Sequence, residues 1–197
     1  MSYIRIAAPI LLAMTFVFAA NPAPAQRAAP PPERLDSPAP LHPGDAFGEE
    51  VTLPERTIVY LKGHSKWDAA FDTLVDAFKS LDEYLDKAGI KPAGPAMTIY
   101  NETDDNGFSF EAAVPIAAAP ANPPKGDIAV GQAPSGKALK FVHRGSYDAM
   151  DSTYEAITNY LDDKRLEAKD LFIEEYVTDP VKTSAENLVV NVFVPIK

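Results

Sequence analysis

A chain of 197 residues with 18 Lys and Arg against 28 Asp and Glu carries a net charge of −10, which argues against nucleic acid, whose phosphates call for a basic surface. Its hydrophobic fraction of 46% is ordinary for a globular protein, and the part beyond the first fifty residues is long enough for one packed core. With no cysteine, a disulfide and a lipid-modified cysteine anchor are excluded, so the core alone must hold the fold.

Residues 1–25 have the layout of a signal peptide. Arg5 supplies a short positive region and Ile6 to Ala20 is an apolar run too short to span a bilayer with comfort. Ala23-Pro24-Ala25 before Gln26 then offers the small-x-small pattern that signal peptidase accepts. The expectation is cleavage, a mature protein with no membrane span, and a periplasmic or secreted location; a retained N-terminal anchor is the competing reading. Residues 26–50 are rich in Pro and Ala, with Pro30-Pro31-Pro32, Pro38, Pro40 and Pro43. Such a stretch favours extended polyproline conformation and reads as a tether.

A folded domain is expected over 51–197. Thr57 to Leu61 is β-branched and aromatic, and Gly63-His64-Ser65 follows as a break, with Ser65 and Asp68 spaced as a capping box. Trp67, Phe71, Leu74, Phe78, Leu81 and Leu85 then recur at helical steps until Gly89, with Pro92 and Pro95 preventing resumption. Met97 to Tyr100 and Phe108 to Ile116 read as a hairpin around Asp104-Asp105-Asn106-Gly107. A connection rich in Ala, Pro and Gly covers 117–136. Ala138 to His143 gives the next strand, Arg144-Gly145-Ser146 a break, and Tyr147, Met150, Tyr154, Ile157 and Leu161 a second helical stripe. Leu171 to Thr178 and Leu188 to Ile196 form a closing hairpin, with Asp179-Pro180 opening a longer turn.

The landmarks repeat. Tyr84-Leu85, Tyr100 and Val114-Pro115-Ile116 are matched by Tyr160-Leu161, Tyr176 and Val194-Pro195-Ile196. A duplicated βαββ unit explains this economically, with repeat one at about 51–116 and repeat two at 137–197. The fold class is therefore α+β: one antiparallel sheet, two long helices on one face, and a cleft between the repeats.

Three segments carry a resemblance to a known family. His143-Arg144-Gly145-Ser146-Tyr147, Glu174-Glu175-Tyr176-Val177-Thr178-Asp179-Pro180 and Val192-Phe193-Val194-Pro195-Ile196 resemble the markers of the GyrI-like domain, the effector-binding domain found alone and at the C-terminus of multidrug-responsive regulators. The resemblance covers about Val51 to Lys197. It implies capture of small aromatic or cationic molecules in the cleft, with Glu174 as the glutamate that the family places two residues before a strand aromatic.

Strand alternation puts Phe172, Glu174 and Tyr176 on one face, so acid and ring can share a pocket, and a cation could offset the buried carboxylate while stacking on Tyr100 or Tyr176. The bland alternative is a solvated Glu174. In cation-binding relatives the last strand carries a second acid before an aromatic, whereas here Asn191 precedes Phe193. Copy-to-copy alignment sets Glu111 opposite Asn191, so a second acid is expected from the first repeat. Trp67 and Tyr147 open the two helices beside the cleft; core packing is the first reading of each and ligand contact the second.

The candidate ligand-binding set is Trp67, Tyr100, Glu111, Tyr147, Glu174, Tyr176 and Phe193. His42, His64 and His143 have no metal-ligand spacing, and no cofactor is called for. The favoured function is an exported, stand-alone binder of small organic molecules. The alternative is a hydrolase in which Glu174 activates water as general base beside Tyr176. A regulatory interaction protein ranks last, and oligomeric state is left open.

Overall fold

The structure, a computed structural model, describes residues 41–197. Residues 1–25, read as a signal peptide, and the greater part of the stretch read as a tether lie outside the described residues. Eight strands form one antiparallel sheet: β1 (Phe47–Leu53), β2 (Thr57–Ser65), β3 (Met97–Asp104), β4 (Gly107–Pro115), β5 (Ile128–Gln132), β6 (Gly136–Gly145), β7 (Phe172–Tyr176) and β8 (Leu188–Pro195). Two long helices, α1 (Ala70–Ala88) and α2 (Met150–Lys164), follow β2 and β6, each entered through one 3₁₀ turn, Trp67–Ala69 or Tyr147–Ala149. The expected α+β class and the helix positions hold.

Two strands depart from the expectation. β1 begins at Phe47, inside the stretch read as tether, and β5 lies inside the stretch read as a bare connection. Both were hidden by their neighbours in sequence, Pro43 and Gly44 before β1, Pro123, Pro124 and Gly126 before β5. The helix entry differs too. Ser65 does not cap α1: its hydroxyl bonds Lys66 O at 3.0 Å and Thr73 Oγ1 at 2.9 Å, because β2 runs on through Ser65 and leaves Lys66 at the cap position. Ser146 does cap its turn, accepting from Asp148 N–H at 3.2 Å.

The sheet order is β1-β6-β8-β7-β3-β4-β2-β5, which reads the same when β1–β4 and β5–β8 are exchanged. β1 and β2 are joined by only Pro54, Glu55 and Arg56 yet stand six places apart. Six strand spacings need about 29 Å in a flat sheet, whereas the link from Leu53 to Thr57 reaches about 14 Å at most. The sheet must therefore curl until its ends meet. Pairing shows how: Leu53 faces Gly136 at the end of β1–β6, Thr57 faces Gln132 at the start of β2–β5, and Ala133 N–H bonds Arg56 O at 2.9 Å between them. The register runs through the crossing without a slip, the shift in β1–β6 lying away from it between Phe47 and Glu49, so β1–β2 and β5–β6 make one long ribbon that crosses from one end of the sheet to the other. Pro54 and Pro134 sit at the crossing, where the ladder is interrupted and a missing N–H costs nothing.

The curl creates two cores. On the helix face, Leu74, Phe78, Leu81 and Leu85 of α1 and Ile157 and Leu161 of α2 pack on Phe108, Phe110, Phe141, Val190 and Val192. On the opposite face, Ile58, Ala133 and Ala138 of the ribbon close over Met97, Ile99, Ile173 and Phe193. This second core needs no helix because the ribbon itself covers it.

Candidate functional site

The helix-face side chains of β3 and β7 alternate inward as Thr98 and Tyr100, and as Phe172, Glu174 and Tyr176, with Thr98 directly opposite Glu174 in the register. α2 and the 3₁₀ turn that leads into it lie over them through Tyr147, Met150 and Tyr154, a spacing that sets three side chains on one stripe. Between these elements and the entry to α1 is a cavity of about 370 Å³, lined chiefly by Trp67, Tyr100, Tyr147, Tyr154, Phe172 and Glu174. Residues of both halves of the chain form it.

Glu174 is 1% exposed at its floor. Its Oε1 accepts from Tyr154 Oη at 2.8 Å, and its Oε2 from Tyr100 Oη at 2.8 Å and Tyr176 Oη at 2.9 Å. Tyr147 Oη lies 3.0 Å from Tyr100 Oη, and Tyr176 Oη lies 3.3 Å from Thr98 Oγ1. Among the described residues no ion pair reaches this carboxylate. Burial pushes its pKa above the ordinary carboxylate range, and the three phenol donors pull it back only in part. Burial, and then the charge on Glu174, hold all four tyrosines well above their usual range, so each keeps its proton to donate.

The walls are aromatic and braced. The indole N–H of Trp67 donates to Asp104 O at 2.8 Å while its ring lies 4.9 Å from Phe108, and the side chain stays 47% exposed at the rim. Asp104 can be there because Gly107 closes the β3–β4 turn, where a Cβ would stand 2.1 Å from Ser65 O. Tyr147 lies on Phe71 at 4.9 Å, and Tyr154 meets Phe172 edge-on at 5.5 Å.

The segment His143–Tyr147 fixes this wall. His143 is 1% exposed and bonds Thr153 Oγ1 through Nδ1 at 2.7 Å and Ser146 O through Nε2 at 3.0 Å. The carbonyl needs a donor, so Nε2 carries the proton and Nδ1 accepts from the threonine. Burial lowers the pKa of the ring, favouring that neutral form. Arg144 clasps Asp45 with two bonds of 2.7 Å.

Of the seven residues singled out in the sequence, Trp67, Tyr100, Tyr147 and Glu174 line the cavity, and Tyr176 joins them through its hydroxyl. Glu111 and Phe193 do not come to it. Both point to the opposite face: Glu111 pairs with Lys62 at 3.1 Å, and Phe193 packs in the ribbon core. Asn191, the position matched with Glu111, also faces that way and donates to Glu175 at 3.2 Å. Tyr154 was read only as part of a helical stripe. Its signal was available, since a buried phenol needs a partner and the nearest strand offered a carboxylate. Asp148 and Asp151 at the rim and Thr103 were also missed.

Over residues 49–197 the sequence matches the family described as the GyrI-like small molecule binding domain. No curated protein matches it. Among solved structures, the C-terminal domain of EcmrR is similar at a TM-score of 0.65 and 15% identity, over 77% of this chain and 98% of that one. In the EcmrR–DNA complex the likeness covers 57% of the EcmrR chain, so this protein spans little more than half its length. A hydrolase encoded by lin2189 from Listeria innocua is similar at 0.53 and 11% identity, over 78% of this chain and 93% of that one. SAV2435 bound to tetraphenylphosphonium is similar at 0.52 and 17% identity, over 77% and 94%. At these identities the likeness is one of fold.

Proposed function

This chain belongs to the GyrI-like small molecule binding domain family, and we propose that it captures a lipophilic aromatic cation in the cavity above Glu174, outside the cytoplasm. One observation carries the reading: a buried carboxylate without a cationic partner lies beneath an open aromatic cavity. A carboxylate so placed is costly to desolvate, and phenol donors offset that cost without neutralising the charge. A cation entering between Trp67, Tyr147 and Phe172 would supply the missing charge and gain about 0.5–2 kcal/mol per ring contact. Asp148 and Asp151 at the rim add attraction. The tetraphenylphosphonium seen with SAV2435 is a ligand of this kind.

Export is supported by Arg5, the apolar run Ile6 to Ala20 and the Ala23-Pro24-Ala25 site, and a net charge of −10 speaks against nucleic acid as partner. The exchange-symmetric strand order supports descent from a duplicated βαββ unit.

A second reading is a hydrolase with Glu174 as general base, favoured by its raised pKa. The hydrogen bonding favours the binder: three tyrosines occupy three of the carboxylate's roughly four acceptor sites, leaving little room to hold a water for attack.

Glu174→Gln separates the two. A binder of cations loses affinity for tetraphenylphosphonium by about 10- to 100-fold, 1.4–2.8 kcal/mol, followed by Trp67 fluorescence; a hydrolase keeps binding and loses turnover. Unchanged affinity and no turnover in either protein would remove Glu174 from the site.

A further inference from the structure

On the helix face, at the opposite end of β7 from Phe172, lies a second hollow of about 520 Å³ that shares no lining residue with the first. We propose that it is a second binding site, built for a primary or secondary ammonium with an apolar body. Its floor is the edge-to-face pair Phe78 and Tyr176, 5.3 Å apart, and its lips are Val177 and Val181 on one side and Pro92 and Pro95 on the other. Val177 is 54% exposed beside this hollow, so the fold leaves apolar surface in water that a ligand would cover.

The hollow is formed in advance. Asp179 Oδ1 accepts from Val181 N–H at 2.9 Å and Lys182 N–H at 3.2 Å, and Asp179 O accepts from Thr183 N–H at 2.9 Å. The opposite lip is pinned by Ala93 N–H to Pro115 O at 2.7 Å. Little ordering is left to oppose binding.

Charge selects the occupant. Asp82 and Asp86, one turn apart on α1, and Asp179 face the hollow, against one cation, Lys182, which Asp179 already holds. Partial burial, and then the charge of Asp179, keep the Asp82 carboxyl above its ordinary range against the pull of Lys182. Glu174 has three of its roughly four acceptor sites taken by phenols, but no hydrogen bond is made to the carboxylates of Asp82 and Asp86 among the described residues. They suit a ligand that brings N–H donors, with its apolar part resting on Phe78 and Tyr176.

The test uses the full chain carrying Glu174→Gln, so that the first cavity does not compete for the cation, and titrates it with 4-phenylbutylammonium under ¹H–¹⁵N NMR. Saturable shifts are expected at Ala96, Val177, Val181 and Lys182. Adding Asp82→Asn and Asp86→Asn should weaken the apparent Kd about tenfold, and the uncharged 4-phenylbutanol should bind correspondingly weakly. Val181→Trp, which fills the hollow from its rim, should abolish the shifts. Shifts confined to Tyr147–Tyr154, no saturation, or a Kd indifferent to both the aspartates and the ammonium would overturn the proposal.

Discussion

Glu174 is an acid kept inside by hydroxyls alone, and its linkage to pH follows from that. Its native pKa is raised above the ordinary value, so the native state is favoured below the ordinary carboxylate range and loses that contribution as pH rises through the raised value. Glu174→Gln should therefore gain stability relative to the parent as pH rises from 4 to 7.5, with the smallest difference near pH 4; parallel thermal unfolding curves across this window would contradict the account. Tyr154→Phe strips the donor from Oε1, and should cost about 1–3 kcal/mol in urea unfolding while moving the acid's titration upward. At this scale the sequence was legible where strand alternation alone decides, as for Phe172, Glu174 and Tyr176. It misled at Glu111 and Phe193, because alternation says which residues share a face and not which face the helices cover. Tyr154 was hidden because a tyrosine on an apolar stripe shows its ring in the pattern and not its hydroxyl.

The two helices end alike in geometry and differently in chemistry. Gly89 after α1 is left-handed at φ 66°, and Arg165 after α2 is left-handed at φ 56°. Glycine adopts this conformation freely, whereas an arginine carries strain there. Arg165→Gly should raise stability by about 0.5–1 kcal/mol, and Gly89→Ala should lower it by about 1 kcal/mol, read as opposite shifts of the urea midpoint. α1 was legible to its last residue because glycine and two prolines mark its end. The strands were less so: β5 is half-buried Ile, Ala, Val and Gly followed by an exposed Gln, too short and too weakly alternating to stand out from the proline-rich run before it.

For the molecule as a whole, the decisive feature is the ribbon. Arg56, at the crossing, reaches Glu175 at 2.7 Å, where Asn191 is the acid's other partner. Arg56→Met removes the charge that compensates a buried carboxylate and should cost about 1–3 kcal/mol by chemical denaturation; a loss under 0.5 kcal/mol would mean that Asn191 suffices. Nothing in local sequence announces this arrangement, since the pairing of residues near 50 with residues near 138 is set by closure of the whole sheet.

Because each half lends its first strand to the far side of the other, neither is complete by itself. A nascent chain that has emerged only as far as Asp127 holds β1 with no strand to lie against, β6 being its partner. Pairing of β1 must therefore wait until translation has passed Gly145, and the two halves, made as separate polypeptides and mixed, should regain the native circular dichroism spectrum that neither shows alone.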